Sequence, residues 1–358
     1  MHGLWVGVAS AVVAAAVVGL GVSGAAATTA AAQRPSPCGA VMHVATWSPN
    51  GKRIAFVGRG FGSSAICVAD RDGRHARALR HATCTRSGYC RLINTPAELY
   101  WVRRNRLVYG DVTGIFAVPV GAGRLSRIGV SNDTFGGFAV DAAGDRVAYG
   151  GPACCDTGPG WPVTVLSVPG GRLIGKVGGT KVDNTDPSLS PKGKQVAFEG
   201  NGPAIWSASA TGGHLRPLEQ CYSDPVWSPT GKWVACTSGP ARRTGLALLV
   251  VSPLTGASIK LVPQGLPSPG NGPIFGWSPN GMNIAFSYDL PGGQVALDVV
   301  NLATGRVRQR LGPPGGAGSY VAWSPDSRQL LVTTDCTLWR VPAGGAEKPR
   351  RLLQADCS

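Results

Sequence analysis

The chain has 358 residues, with 52 glycines, 28 prolines, only 15% charged residues and a formal net charge of +15. This length allows a sizeable core, and no long amphipathic helical stretch follows residue 40. The composition therefore argues against a helical fold and favours many short strands joined by tight turns, as in a sandwich, barrel or propeller.

The N-terminal segment differs from the rest. Residues 4–22 are uninterruptedly apolar or small, and an alanine-rich stretch follows at 25–32. This pattern is typical of a secretory signal with an Ala-x-Ala cleavage site. The three residues before the run include no Lys or Arg, only His2, so an uncleaved membrane anchor stays open as an alternative. We predict a signal peptide or anchor with a short linker at 1–37 and an exported domain at 38–358.

A short hairpin motif recurs along the exported domain. Trp47-Ser48-Pro49-Asn50-Gly51 returns at 227–231 and 277–281, and at 323–327 with serine in the last place. Ser, Pro and Gly at the first, second and fourth positions are typical of a type I β-turn. Strand-forming residues follow, as in Ile54-Ala55-Phe56. The motif predicts a strand, a turn and a second strand.

Seven repeats share an aliphatic residue in the second strand, at intervals that average 46 residues. These residues are Ile54, Leu107, Val147, Val196, Val234, Ile284 and Leu330. A period of about 40–50 residues is typical of four-stranded propeller blades. We predict an all-β fold, a seven-bladed β-propeller with four antiparallel strands per blade. Six blades are the alternative, because the second repeat lacks the turn motif.

The run Trp-Ser-Pro-x-Gly-(Lys/Arg)-x-Ile-Ala-Phe resembles the signature of TolB-like β-propeller repeats, in the WD-type propeller superfamily. The resemblance covers about residues 40–355. It departs from TolB in having seven repeats rather than six and no room for TolB's N-terminal α/β domain. It implies an interaction module in the periplasm or at the cell surface.

Ten cysteines in an exported chain predict disulfides rather than a metal site. In the predicted strand order they all fall on or near the face that carries the blade-to-blade and strand 2–3 loops. Four local pairs are expected, with a vicinal pair left over and a Cys38–Cys357 clasp as the main rival. The expected pairs are Cys38–Cys67, Cys84–Cys90, Cys221–Cys236 and Cys336–Cys357, and the vicinal pair is Cys154-Cys155.

The tryptophans fall into two groups. Trp47, Trp227, Trp277 and Trp323 occupy one fixed slot of the repeat, which predicts structural residues in the core between sheets. Trp161 occupies no repeat slot and lies in a Pro/Gly-rich loop, so it is the best candidate for an exposed contact on the binding face.

Motifs that carry chemistry are not found. The sequence has no Gly-x-Ser-x-Gly elbow, HExxH motif, P-loop or EF-hand loop. Asp183, Asp186 and Asp224 fall in predicted blade connections and could reach the channel mouth, although turn capping is the commoner role of such residues. We therefore assign no catalytic, cofactor-binding or metal-ligating residue.

Function is predicted from these features together. The basic charge suits a solvated propeller rim, or attraction to an anionic envelope polymer; nucleic acid is not expected. We predict an exported, monomeric, non-catalytic propeller that binds a protein or such a polymer, with possible membrane association through its N-terminal segment. The alternative is a propeller enzyme, a lyase or hydrolase with its residues at the channel mouth. A cluster of His, Tyr, Arg and carboxylate side chains at one channel mouth would favour the enzyme, and the sequence alone shows none.

Overall fold

The structure is a computed structural model, and it describes most of the chain from Cys38 to Gln354. The described residues are 38, 41–60, 63–83, 99–111, 114–130, 137–151, 160–179, 184–200, 205–239, 246–266, 274–289, 295–309, 311, 320–334 and 337–354. The predicted leader at 1–37 lies outside them. Within the described ranges no helix is long and apolar enough to cross a membrane.

Seven four-stranded antiparallel sheets follow one another along the chain, each built from four consecutive strands. Blade 1 contains β1 (Val41–Trp47), β2 (Arg53–Gly60), β3 (Ser63–Asp70) and β4 (Arg77–Thr83). Blade 2 contains β5 (Leu99–Val102), β6 (Arg106–Asp111), β7 (Gly114–Pro119) and β8 (Ser126–Val130). Blade 3 contains β9 (Phe138–Val140), β10 (Arg146–Tyr149), β11 (Val163–Ser167) and β12 (Leu173–Val177).

Blade 4 contains β13 (Thr185–Leu189), β14 (Gln195–Glu199), β15 (Ile205–Ser209) and β16 (Arg216–Leu218). Blade 5 contains β17 (Ser223–Trp227), β18 (Val234–Thr237), β19 (Leu246–Val251) and β20 (Ser258–Leu266). Blade 6 contains β21 (Ile274–Trp277), β22 (Asn283–Asp289), β23 (Val295–Asn301) and β24 (Val307–Arg308). Blade 7 contains β25 (Tyr320–Trp323), β26 (Gln329–Thr334), β27 (Thr337–Pro342) and β28 (Arg350–Gln354). The seven-bladed prediction is confirmed, and the six-bladed alternative is wrong.

The core lies between neighbouring sheets. All seven second-strand residues that define the sequence period are fully buried, as are several alanines beside them. In one such layer Ala197 and Ile205 of blade 4 pack with Trp227 and Val234 of blade 5. Each blade is therefore apolar on both faces and depends on both neighbours.

The repeated tryptophans are buried in these layers, as their fixed position predicts; all four are less than 10% exposed. Two of them also reach the previous blade. Trp277 Nε1 donates to the Val226 carbonyl at 3.0 Å, and Trp323 Nε1 donates to the Gly276 carbonyl at 2.9 Å.

First strands of adjacent blades contact one another, as β13 contacts β9 and β17, which places them around the central channel. The ring closes where blade 1 packs on blade 7. There Trp47 and Phe56 share an apolar cluster with Leu331 and Leu338.

A disulfide lies at this closure. Cys38, just before β1, is bonded to Cys67 in β3, with a Cα–Cα distance of 5.7 Å. The local pair is thus confirmed, and the rival Cys38–Cys357 clasp is wrong, because Cys38 is already bonded. The expected Cys84–Cys90, Cys154-Cys155 and Cys336–Cys357 pairs lie outside the described residues.

Removing this disulfide should destabilise the ring. We expect the double variant C38A/C67A to lose roughly 3 kcal/mol of unfolding free energy, because the bond closes a 29-residue separation in the unfolded chain. Urea denaturation of both proteins measures this. In reductant the two proteins should become alike, and equal stability under oxidising conditions would contradict the expectation.

Candidate functional site

The first strands of blades 4 and 5 carry the same short motif. It reads Thr185-Asp186-Pro187 in β13 and Ser223-Asp224-Pro225 in β17. Both strands shift register over this stretch, between 185 and 188 and between 223 and 226. Proline cannot donate to a strand ladder and is tolerated at such irregularities. Blade 1 has the same shift between Met42 and Ala45 without the motif, so the motif occupies an irregularity that belongs to the repeat, at the start of the strand and at one mouth of the channel.

The two aspartates adopt a strained backbone. Asp186 has a φ of +46° and Asp224 a φ of +57°, in the left-handed region. Aspartate tolerates this region better than most residues, but a following proline restricts it further. Strain and β-bulges of this kind concentrate at functional sites, where they redirect a side chain. The corresponding position holds Val44 in blade 1, Ile274 in blade 6 and Tyr320 in blade 7, whereas the sequence of blade 2 also places an acid, Glu98, three residues before Trp101.

Glu199 completes the group. It is the last residue of β14 and pairs with Thr185 in the register of blade 4. Its Oε1 accepts the backbone N–H of Asp224 at 2.7 Å, so it links the two blades. Glu199 and Asp224 are half-buried, whereas Asp186 is exposed. We call Asp186, Glu199 and Asp224 the carboxylate cluster.

Burial raises the pKa values of all three members of the cluster. Burial, followed by the charges of Asp186 and Asp224, raises the pKa of Glu199 to about 8, although the Asp224 N–H bond opposes the shift. Burial raises the pKa of Asp224 to about 6, against a hydrogen bond from Ser223. Burial also raises the pKa of Asp186. The surface of Asp186 is accessible to water, but many protein atoms lie around it and lower its solvation. This combination is expected of a side chain that lines the channel.

A disulfide and a pair of hydroxyl groups in blade 5 hold the segment around Asp224. Cys221, three residues earlier, is bonded to Cys236 in β18 with a Cα–Cα distance of 5.5 Å, which confirms the second local pair. Ser223 Oγ lies 2.7 Å from Thr237 Oγ1 and 3.0 Å from Asp224 Oδ2. The disulfide and the hydroxyl pair hold the strained segment from both sides.

Trp161 lies close to the same segment of blade 4. Its side chain is 41% exposed, which agrees with its prediction as an exposed aromatic. Its carbonyl accepts hydrogen bonds from Asn184 Nδ2 at 2.7 Å and Asn184 N at 3.1 Å. Asn184 is buried and stands two residues before Asp186. The predicted contact aromatic and the cluster are therefore joined through one anchored residue.

The sequence analysis named two members of this cluster but predicted neither Glu199 nor the contact among the three. Asp186 and Asp224 were recognised as candidates for the channel mouth, and the structure brings them together with Glu199 inside strands, not in capped turns. Asp183 lies outside the described residues. The signal that could have found the site is the (Ser/Thr)-Asp-Pro motif, which only two of the seven first strands carry. Glu199 could not be found in this way, because it occupies an ordinary strand position.

No cation neutralises the cluster within the described part of the chain. The two ion pairs found there are Arg74–Asp72 and His75–Asp70, both in blade 1. Nor do any three His, Cys, Asp or Glu side chains among the described residues stand where they could hold a metal ion. The cluster is therefore a set of coupled acids.

Comparison with known proteins shows similarity at the level of fold. No protein family model matches the chain, and no curated protein matches it. Oligogalacturonate lyase from Vibrio parahaemolyticus is similar over 89% of this chain and 91% of its own, with 14% identity and a TM-score of 0.63. An oligogalacturonate lyase in complex with manganese is similar over 86% of each chain, with 14% identity and a TM-score of 0.64. A chain of a mitotic checkpoint complex is similar over 89% of this chain and 91% of its own, with 15% identity and a TM-score of 0.56.

The repeats and the seven four-stranded sheets together define a seven-bladed β-propeller. Its disulfides agree with export, since such bonds persist in oxidising compartments. The prediction of a non-catalytic interaction module is wrong on two findings. Similar solved structures include oligogalacturonate lyases, and three carboxyl groups with raised pKa values come together between blades 4 and 5. One of the similar lyase structures contains manganese. Among the described residues of this chain, no group of three His, Cys, Asp or Glu side chains is placed to bind such an ion.

The raised pKa of Glu199 predicts a pH-dependent stability. A carboxyl group whose pKa is higher in the folded than in the unfolded state favours folding at low pH, and this contribution is lost as pH rises. We expect stability to fall between about pH 4.5 and about pH 8, by on the order of a few kcal/mol. The variant E199Q keeps an acceptor for the Asp224 N–H and should flatten this slope.

Denaturation midpoints measured across this pH range test the expectation. The matched control is E219Q, an exposed glutamate at the outer edge of the same blade, which should keep the wild-type slope. An E199Q slope equal to that of the wild type would contradict it.

Proposed function

We propose that the protein is an exported propeller enzyme, a hydrolase or lyase, that cleaves glycosidic bonds at the channel mouth by acid–base catalysis. The observation that carries the proposal is the pair of adjacent carboxyl groups whose pKa values are pushed apart, about 8 for Glu199 and about 6 for Asp224. Such a separation assigns an acid and a base near neutral pH.

The roles follow from the two protonation states. At pH 7 Glu199 is mainly protonated and can donate a proton to the glycosidic oxygen as the bond to carbon breaks. Asp224 is mainly ionised and can accept a proton. In hydrolysis that proton comes from a water whose oxygen bonds to the anomeric carbon. In elimination it comes from the carbon next to a uronate carboxyl group, and a carbon–carbon double bond forms.

Asp186 acts on the other two groups. Its charge raises the pKa of both Glu199 and Asp224, which keeps the acid protonated. Asp186 is therefore a positioning and tuning residue. Trp161 supplies an exposed ring, suited to packing against the apolar face of a sugar, and its backbone is bonded to Asn184, two residues before Asp186.

The comparisons support a carbohydrate as the substrate class. Two of the similar structures are named as lyases of oligogalacturonate. The seven-bladed scaffold also occurs in the checkpoint complex, so the fold alone does not assign the reaction.

Localisation and partners belong to the same proposal. We infer that residues 1–37 direct export, as a cleaved signal or a membrane anchor, and that the mature protein is a monomer that meets a protein or an anionic envelope polymer. Sequencing the N-terminus of the protein from its native host should give a start between residues 26 and 38. A full-length cytosolic chain would contradict export.

Activity should show a bell-shaped dependence on pH. We expect kcat/KM on a panel of neutral and uronate oligosaccharides to rise through about pH 6 and fall above about pH 8, values that belong to the coupled pair. E199Q and D224N should each lower kcat by about 100-fold or more, as expected for loss of a general acid or base.

The assay distinguishes the two reactions, since both release a reducing end and only elimination gives an unsaturated product that absorbs in the ultraviolet. E219Q is the control and should keep wild-type activity. Activity that survives both E199Q and D224N, or no cleavage of any glycan on the panel by the wild type, would overturn the proposal.

A further inference from the structure

A groove lies at the opposite end of blades 4 and 5 from the carboxylate cluster. It encloses about 690 Å³ between the turn that follows β13 and the turns that end β15, β17 and β19. Its lining runs from Pro191, beside the innermost strand, to Arg216 in the outermost strand of blade 4. Since neighbouring strands are about 4.8 Å apart, the groove spans roughly 14 Å.

The groove is lined by bases without acids. Lys192, Lys194, His214 and Arg216 face it, and none of its lining residues is Asp or Glu. Within the described structure, the side chains of Lys194, His214 and Arg216 form no hydrogen bond or ion pair. The charges of Lys194 and Arg216 are therefore available to a ligand.

The same turn in blade 1 shows how this charge becomes available. The two turns have corresponding backbone hydrogen bonds, from Asp70 N to the Arg74 carbonyl and from Ser209 N to the Gly213 carbonyl. Asp70 therefore corresponds to Ser209, and His75 corresponds to His214. Asp70 Oδ2 lies 2.6 Å from His75 Nδ1, and Asp72 forms an ion pair with Arg74 at 3.4 Å.

In blade 4 both acids are replaced by hydroxyl residues, and these bind each other, Ser209 Oγ lying 2.8 Å from Thr211 Oγ1. Arg216 also differs from its counterpart Arg77, which donates to the Val120 carbonyl at 3.1 Å. Blade 4 thus keeps His214 and Arg216 without the partners of their counterparts, and Gly213 stands where blade 1 has Arg74.

One wall of the groove is apolar. Leu254 is 72% exposed there, and Pro191, Pro229 and Pro253 lie around it. An exposed leucine beside cations suits a ligand that carries both carboxylates and an apolar side chain. A sugar polymer offers no such side chain.

We propose that this groove binds an extended acidic segment of a partner protein, of about four residues, with one apolar side chain on Leu254. Its carboxylates pair with Lys192, Lys194 and Arg216. Four extended residues span about 13 Å, which matches the groove. The site is independent of the carboxylate cluster.

Fluorescence anisotropy with a labelled hexapeptide, Glu-Asp-Leu-Glu-Asp-Glu, tests the proposal on the full exported domain. Binding should weaken about tenfold in K194Q/R216Q and should fall as salt rises. It should weaken as much in S209D/T211D, which restores the acids of blade 1 while keeping every base. The variant L254S should bind more weakly than the wild type, and changing the leucine of the peptide to serine should have the same effect.

The control is K52Q/R74Q, which removes the same charge from the corresponding turn of blade 1 and should leave binding unchanged. Equal weakening in this control would show attraction to net charge alone and overturn the site. Insensitivity to L254S, or stronger binding of an oligogalacturonate of equal charge, would overturn its assignment to a peptide.

Discussion

The whole ring depends on the burial of apolar residues between neighbouring sheets. The second strand of every blade has a fully buried aliphatic residue at the same place, and each blade needs a neighbour on both sides to cover it. Since burying an aliphatic side chain contributes about 1.5–3 kcal/mol, seven such layers fix the radial position of all the first strands. The first strands surround the channel, so packing far from the site determines its geometry.

A rigid ring can hold groups that would be unfavourable alone. Asp186 and Asp224 have left-handed backbones before prolines, and three acids come together without a described cation. The backbone strain costs on the order of 1–3 kcal/mol per residue, and the unpaired charges add to this cost. The Cys221–Cys236 bond and the Glu199 contact to Asp224 N hold the segment in this arrangement. Proteins keep such features where function requires them, which is why the chemistry is assigned to the cluster and not to the groove beside Leu254.

The fold could be predicted from the sequence because it is repeated. Each Trp-Ser-Pro-x-Gly turn is a local signal, and the period of the aliphatic residues gave seven blades even where the turn in blade 2 is lost. The Cys38–Cys67 and Cys221–Cys236 pairs followed from the strand order.

The site could not be predicted as well, because it occurs once and combines two blades. Glu199 meets Asp224 only through the register of β13 and β14 and the contact between blades, and no spacing in the chain shows this. The groove beside Leu254 was missed for a related reason, since the turns of that face look uniform until their acids are compared.

The central claim is that the carboxylate cluster separates an acid from a base. The most direct measurement is a titration of the carboxyl carbons of Glu199 and Asp224 by nuclear magnetic resonance, assigned with the variants E199Q and D224N. We expect Glu199 to titrate near pH 8 and Asp224 near pH 6. Titration of both groups near their ordinary values, close to pH 4, would contradict the account.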